Sequence, residues 1–267
     1  MRKFVILICA LFLSACGESN DVATKMQITT EPLTAEESWN MILSHHKIYH
    51  TNLKQFLHKP DTVVPFPGNT EMISMFNKEQ LTNADIEHYH NIFITELYNE
   101  NTLLRFDNLF KQYIIPELKQ KTNKYLVPLL SSWNTQLPEK LEIVYSTDYS
   151  SYYNPPTDEP AVIVFGVNNP SFVATNPFDD KEKIFGLVFH EFVHILIEES
   201  IIRKYDVPQD LKERIVDLIC YEFIKRPVRK DFENSFANAY ITPEAIKTDL
   251  PGTVEKMMTD YKALQAK

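Results

Sequence analysis

Residues 188 to 197 read "VFHEFVHILI": His190 and His194 stand four positions apart, with Glu191 beside the first, in a run that is otherwise wholly apolar. One helical turn, about 6 Å of rise, separates the two histidines, so both rings leave the same face and can reach one ion. Glu191 lies about 100° round the helix from His190, where a carboxylate can face a water without binding the ion. This is the H-E-x-x-H arrangement of zinc hydrolysis, two imidazole ligands and a general base. Without partners, each of these buried polar groups would cost a few kcal/mol. One ion removes that cost for all three at once. The competing explanation is a pair of hydrogen-bonded core histidines.

A catalytic zinc needs a third protein ligand and an open position. Ile197 and Ser200 occupy the places where the metzincin pattern needs Gly and His, which excludes that pattern. Glu198 is about 12 Å of rise from His190, too far for one ion to bridge on a straight helix, and Glu199 is no closer. The next helical stretch, "VPQDLKERIVDLICYEFIK", carries Glu213 and, one turn later, Asp217. Both have ordinary explanations. Asp210-x-x-Glu213 after Pro208 fits a capping box, and Asp217 suits a solvated helix face. Glu222 is the alternative ligand if Glu213 only caps.

Together, His190-Glu191-x-x-His194-x18-Glu213-x-x-x-Asp217 resembles the gluzincin zinc peptidases, the thermolysin-like group with two His ligands and one Glu. The resemblance covers residues 190 to 217. It implies Zn2+ held by His190, His194 and Glu213, with Asp217 supporting His190 from behind. It implies that Glu191 takes the proton of the attacking water and passes it to the leaving amine. The fold it implies is a zincin-like catalytic core, and the substrate a peptide or protein. That group also uses a Tyr and a His as oxyanion donors. Tyr205 matches the Tyr by its spacing from His194. No histidine follows His194, so Tyr240, in "FANAYITP", and Arg214 are the substitutes for the second donor.

The N-terminus, "MRKFVILICALFLSAC", has a basic start at Arg2 and Lys3 and an apolar run over positions 4 to 13. That run is too short to span a bilayer as a mature helix and reads as a secretory signal peptide over residues 1–15. The ending "LSAC" resembles the lipobox of bacterial lipoproteins. It implies cleavage before Cys16, a lipid on Cys16, export, and membrane anchoring at the cell envelope. Gly17, rather than Asp, favours sorting to an outer membrane where the host has one. Cleavage removes Arg2, Lys3 and Cys9, which takes the formal charge from −9 to −11 and leaves Cys16 and Cys220. With Cys16 acylated, no internal disulfide can form, so stability must come from the core or a metal. Cys220 reads as a small buried hydrophobe.

The elements that must position these groups follow from periodicity. A chain of 267 residues, 44% hydrophobic and 24% charged, suits one large globular domain or two small ones. Its negative charge offers no basic patch for a phosphate backbone, which argues against nucleic acid as a partner. Residues 16–35 are polar without a sustained apolar period and read as a flexible tether. Helical spacing recurs over 36–57, 83–104 and 104–130, the last bent near Pro116 and Pro128. Residues 36–135 thus read as an N-terminal helical region forming one wall of a cleft. Its histidines, 45, 46, 50, 58, 88 and 90, read as surface or cap residues. His46 and His50 also stand four apart, but Lys47 occupies the place of the glutamate.

Residues 140 to 146 and 161 to 167 read as strands, joined by a loop or hairpin through "DYSSYYNPPTDEP". The second strand is apolar throughout, which suits burial on both faces but leaves its edge open to pairing. In zincins a strand at this place takes up extended peptide. Helices follow over about 180–203, 208–226 and 243–265. The fold class is therefore α+β, mostly helical with a small sheet, and residues 136–267 form the zincin-like catalytic region. The expected function is an exported, lipid-anchored zinc metallopeptidase. The alternative is a zinc-binding cell-envelope lipoprotein that acts as an interaction module without peptidase activity. A third class is a helical lipoprotein without metal.

Overall fold

The structure, a computed structural model, describes residues 22–48, 50, 69–147, 151–154, 160–168, 176–230 and 234–266. The expected signal peptide and Cys16 lie outside the described residues. Four extended stretches form one sheet: β1 (Gln27–Pro32), β2 (Lys140–Ser146), β3 (Tyr152–Asn154) and β4 (Ala161–Gly166), in the order β1-β2-β4-β3. β1 and β4 run parallel to β2, and β3 runs antiparallel to β4. Alternation along β2 buries Leu141, Ile143 and Tyr145 on one face.

Two expectations change here. Residues 27 to 32, expected in the flexible tether, pair with β2 from Gln27 to Pro32 and form an edge of the sheet. Strand pairing uses backbone groups, so an edge strand needs no apolar run, and Pro32 suits its end. Thr30 adds a side-chain tie, donating to Asp107 Oδ1 at 2.8 Å. Second, β4 has no open edge along Val162, Ile163 and Val164, because β3 covers it there. The edge strand is β3, inside the stretch read as a loop or hairpin connection.

The described helices are α1 (Val22–Lys25), α2 (Ala35–Ile48), α3 (Thr70–Asn77), α4 (Asn83–Ile92), α5 (Glu100–Leu109), α6 (Ile115–Lys121), α7 (Lys181–Ile197), α8 (Gln209–Ile224), α9 (Pro243–Thr248) and α10 (Leu250–Gln265). Together with the sheet they make a mostly helical α+β fold. Thr82 and Asp85 close a reciprocal capping box at the start of α4. The helix changes type near both prolines, where bends were expected. A π-helical turn, Phe110–Ile114, leads into α6, whose first turn holds Pro116, where a missing N–H costs least. Pro128 sits in the 3-10 turn Val127–Leu129. Among the described residues no helix is long and apolar enough to cross a membrane.

The main core runs from α5 and α6 through the sheet to α7, α8 and α10. Phe110 is wedged against Tyr145 and Phe165, with ring centroids 4.8 and 5.2 Å apart. The expected division at residue 135 therefore cuts through packed core. A small sheet must bury a face against something, and the apolar side of α5 serves that need. A smaller cluster gathers Trp39, Ile42, Met72, Met75, Phe76, Tyr89 and Phe93. Tyr98 packs against both. α7 lies at the centre of the main core, and every residue from Val188 to Ile197 is buried. A helix apolar all round has no other place to go.

Candidate metal centre

Two helices build the site. α7 carries His190, Glu191 and His194, and α8 packs against it. The link between them is short and passes Asp206 at φ 56°, a left-handed conformation that Asp tolerates. α8 starts at Gln209, with Pro208 at the cap position and no side-chain cap. Asp210 is thus inside the first turn, and the capping-box explanation of Glu213 fails. Glu213 instead points at the histidines.

The three side chains converge. His190 Nε2 and His194 Nε2 lie 3.1 Å apart, and each lies 3.4 Å from an oxygen of Glu213. Zinc bonds of about 2.0–2.2 Å at a tetrahedral angle separate ligand atoms by about 3.3–3.5 Å. The triangle matches that separation along its two edges to Glu213, while its third edge, at 3.1 Å, is shorter. It matches a hydrogen-bonded core poorly, since N–H···O bonds run about 2.7–3.2 Å. Only the contact between the two nitrogens has hydrogen-bond length. Both rings are almost fully buried, 4% and 1% exposed, and neither Nδ1 has a hydrogen-bond partner among the described residues. The donor set, two imidazoles and one carboxylate, could hold a metal ion.

Polar partners hold this set from behind. Asp217, 2% exposed, places Oδ1 3.4 Å from His190 Nδ1, so its face is buried against His190 and not solvated. Arg229 bridges the two acids, with Nε 2.8 Å from Asp217 Oδ2 and Nη2 2.8 Å from Glu213 Oε2. Arg226 Nη1 stands 3.9 Å from Asp217 Oδ1. Gln209 Nε2 donates to Glu213 Oε1 at 2.8 Å. Of these, Asp217 was expected from the resemblance; Gln209 had a signal that was not read, its i−4 spacing from Glu213, and the two arginines had none. Arg226 and Arg229 arrive after α8 ends at Lys225, whose φ of 57° reverses the chain without a glycine.

Electrostatics follows from burial. Burial pushes the His190 imidazole down to about 4, so it is neutral and ready to ligate at neutral pH. Burial alone would raise the Glu213 carboxyl, but its contacts with His190, His194 and Arg229 hold it well below the usual carboxylate range. Burial, then the charge of Glu213, pushes Glu191 up to about 8. Glu191 makes no hydrogen bond among the described residues.

The other candidates lie elsewhere. The Tyr240 hydroxyl donates to Asp260 Oδ2 at 2.8 Å. Tyr205 packs at the core margin with Lys204 Nζ 4.8 Å over its ring. Arg214 donates to Asn238 Oδ1 at 2.5 Å. Glu222 pairs with Lys247 and Lys225. The structure brings none of these four to the cluster. It brings Tyr153 instead, from β3, its ring stacked on His194 at 4.8 Å. Compared with protein-family models, curated proteins and solved structures, the chain matches none.

Proposed function

We propose that this protein is a zinc-dependent peptidase of the gluzincin type, with His190, His194 and Glu213 as ligands and Glu191 as general base. The observation that carries the reading is the convergence of two Nε2 atoms and one carboxylate, with both edges to Glu213 at ligand-to-ligand distance and too long for good hydrogen bonds. Bound zinc supplies a Lewis acid and a positive charge, which polarise a peptide carbonyl, activate a water and favour ionised Glu191. Glu191, one residue from the first ligand, takes the proton of the attacking water and returns it to the leaving amine. Asp217 opposite His190 Nδ1 selects the tautomer whose Nε2 lone pair points into the cluster. Arg229 and Gln209 hold the two oxygens of Glu213 in register. The exported, lipid-anchored location belongs to the same proposal and rests on residues 1–16.

A second reading, a zinc-binding envelope module without hydrolysis, is favoured by one observation: Tyr205, Tyr240 and Arg214 are all engaged away from the cluster. One pair of measurements separates the readings. A soluble form starting after Cys16 is assayed for zinc and for cleavage of a peptide library, beside Glu191→Gln. The peptidase reading expects about one zinc per chain in both, and cleavage that falls about 10²–10⁴-fold in the variant. Zinc without cleavage in the wild type supports the interaction module. A folded protein without zinc after loading rejects both.

A further inference from the structure

The two histidines are held in different ways. Asp217 Oδ1 stands 3.4 Å from His190 Nδ1, whereas His194 Nδ1 has neither an ion-pair nor a hydrogen-bond partner among the described residues. Ligating histidines ordinarily have such a partner to fix the ring. Against His194 lies Tyr153, its ring near-parallel at 10° and 4.8 Å between centroids. A stacked phenol blocks rotation of the imidazole about χ2, because turning it would drive its edge into the phenol face. The far end of Tyr153 is pinned. Its hydroxyl donates to Glu198 Oε2 at 2.6 Å and accepts from Lys212 Nζ at 3.1 Å. Glu198 is itself buried and takes Arg203 Nε at 3.3 Å. The pins lie beside His194 and Glu213 in the chain: Glu198 follows the end of α7, one turn after His194, and Lys212 precedes Glu213 directly in α8.

We propose that Tyr153 is the positioning residue of His194, a stacked ring anchored by Glu198 and Lys212 that does for the second histidine what Asp217 does for the first. The proposal rests on the reading of the cluster as a metal site. A tyrosine that merely docks β3 onto α7 would contribute stability and leave ligand geometry alone.

The test compares the full-length chain with Tyr153→Leu and Tyr153→Phe. Zinc affinity is read by chelator competition, and ligand geometry by the visible spectrum of the cobalt-substituted protein. Metal-free His194 is read by the NMR shifts of its ring protons. Tyr153→Leu is expected to weaken zinc about 10–100-fold and to change the cobalt spectrum. Tyr153→Phe keeps the ring but loses both anchors, and falls between the two. The His194 protons, shielded by the phenol face, move downfield in Tyr153→Leu and much less in Tyr153→Phe. Zinc affinity within about twofold of wild type and an unchanged cobalt spectrum in Tyr153→Leu overturn the proposal, even if its Tm falls. Should Tyr153→Leu fail to fold, Tyr153→Phe decides: unchanged affinity, spectrum and His194 shifts overturn it. A wild type that takes up neither zinc nor cobalt rejects the metal reading instead. The metal-free shifts then still decide whether Tyr153 sets the ring.

Discussion

His46 and His50 repeat the four-residue spacing of His190 and His194, and the two pairs have opposite fates. His46 Nε2 donates to the carbonyl of Lys78 at 2.8 Å, and His50 Nε2 to that of Phe76 at 2.9 Å. Those carbonyls belong to the end of α3, where a helix leaves acceptors without internal partners. The pair therefore ties a helix terminus. Around His190 and His194 the carbonyls of α7 are spent within its own ladder, and the facing helix offers carboxylates instead. Spacing alone puts two imidazoles side by side. What the neighbouring element presents, loose carbonyls or acids, decides whether they tie a helix end or converge with a carboxylate.

Removing the acid gives the largest expected effect. Glu213→Ala should weaken zinc by more than about a hundredfold, beyond the range for outer partners. His46→Ala should leave zinc affinity within about twofold. Metal content after dialysis against a weak chelator reads both. Equal losses in the two variants would break the comparison, and so would equal retention.

The buried base sharpens it through pH. The Glu191 carboxyl lies at about 8 in the folded chain against an ordinary 4.5, raised by burial first and by Glu213 second. The folded state thus holds this proton more tightly than the unfolded one. Its stabilising contribution is complete below pH 4.5 and is lost as pH rises through 8. Glu191→Gln removes that dependence. The metal-free variant should exceed the metal-free wild type by a few kcal/mol at pH 9, with the gap closing towards pH 4. Denaturant titrations at several pH values check it. A gap that stays constant with pH would mean that Glu191 is not the group that titrates.

The contrast also marks what the sequence could tell. His190 and His194 were legible as a pair because helix geometry converts their spacing into one face, whereas Glu213 and Asp217 were singled out only through the resemblance to a zinc-peptidase spacing. The strands 140–146 and 161–167 were legible from their apolar, β-branched runs. β1 was not, since an edge strand is held by backbone bonds that leave no mark on side-chain type. β3 was hidden in a stretch rich in turn residues, and with it Tyr153. Arg229 reaches the site through a chain reversal at Lys225 that carries no glycine to announce it. The burial of His46, expected at the surface or as a cap, depends on α3, whose end supplies its acceptor. Local periodicity reads single elements; contacts between elements brought together by the fold stay dark to it.

The smallest expected effect belongs to the capping pair. His46→Phe keeps an aromatic ring beside Phe76, whose ring centroid is 5.6 Å away, but gives up the N–H to the Lys78 carbonyl. One neutral hydrogen bond at a helix end contributes about 0.5–1.5 kcal/mol, so the variant should be weaker by that amount at pH 8. Burial lowers the pKa of His46 below its ordinary 6.5, with the neighbouring His50 adding to the shift. A histidine lowered in this way contributes stability above its unfolded pKa and loses it as pH falls through the folded one. Phe cannot titrate, so the gap should narrow from pH 6.5 downward, and it should be the same with zinc as without. A zinc-dependent gap would mean that the capping pair and the metal centre are coupled through the chain. The two pairs would then be one system and not two uses of one spacing.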